Sequence, residues 1–192
     1  LNPCRDPAEA HRTSLLTGDS GDVGRNLVRH LTARGVEAVA ALGARPFAGD
    51  LRSEDLAEAM AGRERLIHAA ADTSLSQRGV MQALIHRVGT RSVTTQARTA
   101  GVSRARHVST EAVRLDGNPL VDAAEDHPLP RRVPRACSRS KAEAEQGAPS
   151  LAAPGFDVVV RPRGGRPRCS DRAALRGIVV VARGPASPGR RG

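Results

Sequence analysis

A chain of 192 residues with no Trp, no Tyr and two Phe must build its core from aliphatic side chains and Ala, which predicts one domain of modest stability. Its net charge of +10 would suggest a nucleic-acid binder if evenly spread, but residues 161–192 carry nine Arg against one Asp, leaving only +2 for residues 1–160. No apolar run reaches bilayer-spanning length, no basic start leads into an apolar segment, and Cys4, Cys137 and Cys169 form no CxxC pair. The expectation is a cytoplasmic protein with no membrane contact, no signal peptide and no metal site.

In chain order, the first element is a short apolar run, Leu15-Leu16, that enters the turn Thr17-Gly18-Asp19-Ser20-Gly21-Asp22-Val23-Gly24. Gly18 suits a tight turn, Gly21 removes a side chain that would block an approaching phosphate, and Gly24 lets the next helix pack closely against the strand. That helix presents Val23, Leu27, Val28 and Leu31 on one face and closes at Gly35. Val36–Ala40 reads as a second strand. Gly49-Asp50-Leu51 then leads to Ser53, a helix cap, and to a helix carrying Leu56, Ala59 and Met60 that ends at Gly62.

Leu66–Ala71 reads as a buried strand running into small residues, followed by a long helix whose apolar face starts with Val80, Leu84 and Val88 and continues through Val93 and Ala97 to Gly101. Arg106–Thr110 is a strand ending in hydroxyls, and Asp116–Pro134 is loop with a turn at Asp116-Gly117-Asn118-Pro119. Ser138–Gln146 reads as helix and Phe156–Val160 as strand, while Gly177–Val181 offers one further strand. Alternating strands and helices imply an α/β fold, a doubly wound parallel sheet of Rossmann type, with ligands bound at the carboxyl ends of its strands.

The glycine turn, Asp50, Ala69–Ala71 and Ser109-Thr110 fall at those ends, and the residues that carry a resemblance are Thr17–Gly24, Gly49-Asp50-Leu51, His68-Ala69-Ala70, Gly89-Thr90, Ala100-Gly101-Val102, His107–Val113 and Ser138–Glu143. In this order, over about residues 12–162, the chain resembles the extended short-chain dehydrogenase/reductase superfamily. The resemblance is to its NAD-dependent epimerase/dehydratase (3β-hydroxysteroid dehydrogenase-like) branch. It implies a nicotinamide dinucleotide cofactor, NAD or NADP with NAD favoured, held by Gly18, Gly21, Gly24, Asp50, Leu51, Ala69, Ala70, Ser109 and Lys141. Asp50 would meet the adenine, and Arg45 is a hint of NADP.

In that family a tyrosine four residues before a lysine is the acid/base, the lysine holds the nicotinamide ribose, and a Ser or Thr orients the substrate oxygen. The resemblance assigns the lysine to Lys141, the one Lys in the chain, and the hydroxyl to Ser109 or Thr110, of which Thr110 matches the family position better. The tyrosine position holds Cys137, whose sulfur sits one bond beyond Cβ where a phenol oxygen would stand across a ring. Proton transfer requires hydrogen-bond reach first, so impaired catalysis is expected. His68 reads as a packing residue, and His86 stands where the family has asparagine, which puts its water relay and helix geometry in question.

Beyond Arg161-Pro162 the family continues into a substrate lobe that the arginine-, glycine- and proline-rich residues 163–192 do not match. The expected organisation is a dinucleotide-binding domain over 12–162 and a disordered basic tail over 163–192, as in a truncated, divergent relative. Expected partners are the dinucleotide, a small alcohol or ketone or a nucleotide-sugar, and a second copy of the chain. The rival readings are a non-catalytic cofactor-binding regulator and an Arg-rich binder of nucleic acid, the latter non-specific and through the tail.

Overall fold

Alternation along each short apolar run places neighbouring side chains on opposite faces of a sheet. The computed structural model, which describes residues 13–33, 39–41, 56–72, 79–118, 127–163 and 180–182, joins these runs side by side. Strands β1 (Ser14–Thr17), β2 (Val39–Ala41), β3 (Arg65–His68), β4 (Arg104–Thr110), β5 (Asp157–Arg163) and β6 (Val180–Ala182) form one sheet in the order β2-β1-β3-β4-β5-β6. Every neighbouring pair is parallel except β5 and β6. The described helices are α1 (Asp22–Thr32), α2 (Leu56–Met60), α3 (Gly79–Ala83), α4 (Thr90–Thr99) and α5 (Ala136–Gly147), with π-helical Leu84–Gly89 running from α3 into α4.

The step from β1 to β2 runs one way across the sheet, and the steps to β3, β4 and β5 run the other. With right-handed crossovers this puts α1 on one face and the remaining helices on the opposite one. On that second face Leu15, Leu66, Ala105 and Val158 stand in register. Leu56, Met60, Val93, Ala97 and Phe156 close over them to form the main core. Each fully buried Leu, Val, Met or Phe contributes about 1.5–3 kcal/mol. Leu16, Ile67 and Val159 supply the buried row facing α1. A smaller cluster, Val113, Val133, Ala142 and Leu129, fastens the segment before α5 to that helix.

Two residues further along each strand, the same face carries Thr17, His68, His107 and Val160 in register. The fold therefore ends its core in a buried polar row at the carboxyl ends of the strands.

Four expectations change. The strand at Leu66 ends at His68, not Ala71: Ala69 N still donates to Thr17 O at 3.0 Å, and the chain then leaves the sheet. The described strand near the carboxyl end is Val180–Ala182 and runs antiparallel, so the sheet is not wholly parallel. The described part of the second strand is Val39–Ala41, while residues 34–38, including the expected stop at Gly35, lie outside the described residues. The first half of the long helix presents the opposite face from the one expected, while Val93 and Ala97 pack into the core as expected. Val80 is 69% exposed and Val88 44%, while Gln82, His86, Thr90 and Thr94 are buried. Both stripes repeat every four residues, and the polar one turns inward because the sheet beneath it is polar and offers hydrogen bonds.

Candidate functional site

At the glycine turn, Gly18 adopts φ +80°, as its place after the strand requires. A Cβ there would lie 2.5 Å from Ala70 N and 2.7 Å from Ala69 C, so the turn and the loop leaving β3 touch backbone to backbone. Gly24 is equally constrained, with a Cβ falling 2.1 Å from Gly18 O and 2.5 Å from Asp19 Cα. Its close contact is with the turn itself rather than with the strand. Gly21 differs. It has φ −79°, open to any residue, and its Cβ would meet one atom, Gly18 O, at 3.4 Å.

Gly21 is the N-cap of α1, which has no side-chain cap; Asp22 in the first turn pairs outward with Arg25 at 2.6 Å. Among the described residues no side chain caps the start of α1 by a hydrogen bond, and a Cβ at Gly21 would meet one atom, a cradle-like arrangement that suits an anion. Ala69 and Ala70 border it through the Gly18 contact. Asp50 and Leu51, and with them Arg45, lie outside the described residues.

The polar row supplies the second part of the site. His68 Nδ1 shares a 2.7 Å hydrogen bond with Thr17 Oγ1, and its Nε2 shares one of 3.1 Å with Thr90 Oγ1 from α4. His107 stacks on it at 5.4 Å between ring centroids, buried, and among the described residues neither of its ring nitrogens has a hydrogen-bond partner. His86 lies within the π-helical segment. Asp72 N donates to its Nε2 at 3.1 Å, and its Nδ1 lies 2.8 Å from Ser140 Oγ on α5. Burial, and then the Lys141 charge, lower His86 and His107 to about 4 each. Burial and the neighbouring His107 lower His68 as well. All three histidines are thereby held neutral around Lys141. The helix at the asparagine position is π-helical here, with His86 inside it.

Cys137 occupies the first turn of α5, half-buried, its Sγ 3.8 Å from Asp72 O. Lys141 follows one turn later, also half-buried. Thr110 ends β4, and its hydroxyl oxygen accepts from Ala112 N at 3.3 Å, which leaves the hydroxyl proton available to a ligand. Ser109, one residue earlier, faces the other way and is buried. Its hydroxyl donates to the Glu145 carboxylate, so a cofactor contact from its side chain is not what the fold builds. Glu145 in turn pairs with Arg114 at 3.1 Å, the two side chains 6% and 5% exposed, and Arg114 Nε donates to His127 O at 3.2 Å.

The structure thus joins Asp72, Ser140 and Cys137 to His86, with Lys141 on the same helix as Ser140 and close enough to act electrostatically on His86, His107 and His68, and with Ala69 and Ala70 against the glycine turn. Ser140, Asp72, Glu145 and Arg114 were not among the residues expected from sequence. The buried stripe Gln82-His86-Thr90-Thr94, at a spacing of four, was the available signal for part of this cluster.

Among curated proteins, the chain is 44% identical over 167 residues to a 4-hydroxy-2-methyl-3-oxo-4-farnesyl-3,4-dihydroquinoline-1-oxide ketoreductase of Stigmatella aurantiaca, covering 78% of this chain and 49% of that protein. Its fold is similar to a short-chain dehydrogenase/reductase superfamily protein of Agrobacterium tumefaciens solved with bound NAD (TM-score 0.66, 23% identity, 79% of this chain and 48% of that one). It is also similar to a UDP-glucose 4-epimerase of Thermotoga maritima solved with UDP-glucose (TM-score 0.66, 17% identity, 78% and 54%). The chain spans about half the length of these proteins. The family model described as NAD dependent epimerase/dehydratase matches residues 14–162, and the chain belongs to that family.

Proposed function

We propose that this chain binds a nicotinamide dinucleotide, with the pyrophosphate over Gly21 and the start of α1, and that it is the cofactor half of an oxidoreductase or epimerase of its family. The observation that carries this reading is the contrast among the three glycines. Gly18 and Gly24 are required by the chain's own backbone, whereas a Cβ at Gly21 would meet only Gly18 O at 3.4 Å among the described residues, so a ligand gives the better reason for glycine there. Ala69, Ala70 and the backbone of Ser109 would line the cofactor, Asp50 and Leu51 would reach its adenine end, and Lys141 would hold the nicotinamide ribose. NAD and NADP are both accommodated by this reading, with NAD favoured. The cofactor would supply or accept a hydride.

For hydride transfer to or from a carbinol or ketone, Thr110 would hold the substrate oxygen and Lys141 the ribose. The ketoreductase likeness supports a carbonyl substrate; a nucleotide-sugar is the other class expected. Cys137 would be a poor acid/base, since its short side chain stands beside Asp72 O at the base of the site. That observation favours a second reading, a cofactor-binding protein without turnover. Exposed Val80 and Val88 on the long helix support self-association as a homodimer. Among the described residues no helix is long and apolar enough to cross a membrane. A cytoplasmic location is part of the proposal. The basic segment 163–192 would give any nucleic-acid affinity, weak, non-specific and lost at physiological salt.

Calorimetric titration with NAD and NADP tests the main reading. Gly21→Val should abolish binding while leaving the fold intact, and an unaltered protein with no affinity for either dinucleotide at millimolar concentration would refute it. Cys137→Tyr tests the chemistry, with an expected gain in dehydrogenase activity on a simple secondary alcohol or ketone. Wild-type turnover already at the rate of an ordinary reductase would refute impairment.

A further inference from the structure

His86 touches two separate elements, and its hydrogen bonds have a fixed direction. A backbone N–H can only donate, so the Asp72 amide makes Nε2 of His86 an acceptor. The remaining ring proton then sits on Nδ1 and is donated to Ser140 Oγ at 2.8 Å, while Ser140 passes its own proton to Cys137 O at 3.0 Å. One neutral tautomer therefore runs from the loop leaving β3, through the π-helical segment, to the first turn of α5. An imidazolium would point a proton at the Asp72 amide and break the first link.

We propose that His86 is a positioning residue: its Nδ1–H tautomer clamps the first turn of α5 to the loop after β3 and so fixes Lys141 against the dinucleotide site. The last step rests on the dinucleotide reading above; the clamp itself does not. The groups that face His86 act in balance. Lys141 on α5 opposes its protonation, the Asp72 carboxylate from the β3 loop favours it, and His107 on β4 and His68 on β3 are themselves kept neutral by burial and by Lys141. Cys137 is tied to the same clamp through its carbonyl and through its thiol, which lies 3.8 Å from Asp72 O. The clamp is thus closed at neutral pH and opens only in acid.

Nitrogen-15 NMR of the unaltered full chain at pH 7 reads the tautomer directly. The expected result is a protonated Nδ1 and a bare Nε2 for His86, unchanged on lowering the pH to 5.5. A protonated Nε2, or titration near 6.5, would overturn the proposal. Amide exchange supplies a second readout. His86→Ala should expose the Asp72 amide, whereas His86→Gln, whose amide can accept from Asp72 and donate to Ser140 but does not titrate, should keep it protected. Protection lost equally in both variants would also overturn the clamp. With NAD or NADP as the probe, His86→Ala should weaken binding roughly tenfold and His86→Gln by less than about threefold. If the tautomer and amide protection hold but His86→Ala binds as tightly as the unaltered chain, the role in fixing Lys141 is refuted. If the unaltered chain binds neither dinucleotide, the cofactor reading and that role fall together, while NMR and exchange still decide the clamp.

Discussion

The two ends of the site are built by different means. At the glycine turn the geometry is backbone: a positive φ at Gly18, close passage of Gly18 against Ala69–Ala70, and Gly24 folded onto the turn. Around His86 the geometry is side chain: its ring bonds Asp72 N and Ser140 Oγ, Cys137 Sγ lies 3.8 Å from Asp72 O, and His107 is buried with no hydrogen-bond partner among the described residues. On the proposed reading the first end keeps the family's glycine pattern, and the second departs from it, with Cys137 for a phenol and His86 for an amide. Backbone requirements admit almost no substitute, because only glycine fits, whereas a side-chain network can be rewired as long as its donors and acceptors still match. On that reading, a binding function can persist where the chemistry has been altered.

The glycines give the largest expected effects and the direct way to break this comparison. Gly24→Ala forces a Cβ to 2.1 Å from a carbonyl oxygen, and Gly18→Ala adds strain at φ +80° to a 2.5 Å backbone contact. Each should cost at least about 3 kcal/mol, read as a fall in the urea midpoint. Gly21→Ala should change stability by less than about 1 kcal/mol while weakening dinucleotide binding. Equal destabilisation at all three positions would show that Gly21 too serves the fold, and the cradle argument would be lost.

At the other end, the buried Arg114–Glu145 pair holds the carboxyl end of β4 to α5. Removing either partner leaves a buried charge with no counterpart, since both side chains are at most 6% exposed. Arg114→Ala or Glu145→Ala should cost about 3–5 kcal/mol, and the double replacement Arg114→Met with Glu145→Leu much less than the two singles combined. Additive losses would mean that the two groups are solvated rather than coupled.

These contrasts also explain what could be read from the residues alone. The glycine turn, the alternation of strands and helices and the run Ser138–Gln146 were legible because each is encoded by neighbours a few residues apart. The inward face of the first half of the long helix was not, although Val93 and Ala97 pack into the core as their spacing implies. Apolar Val80, Leu84 and Val88 satisfy helical spacing as well as Gln82, His86, Thr90 and Thr94 do, and the choice between them is made by partners far away in sequence. Thr90 turns inward to His68, and His86 to Ser140, 54 residues on. Ser109 shows the same limit. Strand alternation puts it and Thr110 on opposite faces, but Glu145, 36 residues away, decides that the serine hydroxyl belongs to the interior.

The smallest effect comes from His107 and sharpens the distinction between a rewired network and a structural requirement. Burial and the Lys141 charge hold His86 and His107 at about 4 in the folded protein, against 6.5 for an ordinary histidine. The unfolded chain therefore binds more protons between those two values, so stability rises with pH across that window and is fully present above about 6.5. On acidification each histidine removes up to about 3 kcal/mol by pH 4. His107 gives nothing back in hydrogen bonds, since both of its ring nitrogens are buried without partners among the described residues. His107→Leu should therefore raise stability by about 1 kcal/mol at pH 7, the relief of desolvation exceeding the lost stacking on His68. Between pH 6 and 5 it should also reduce the pH dependence by nearly one proton, or about 1.4 kcal/mol per pH unit. Urea unfolding of both proteins at several pH values measures the two effects together. A variant that is less stable at pH 7 and keeps the full acid slope would mean that His107 is a structural member of the network, coupled to Lys141 by more than shared burial.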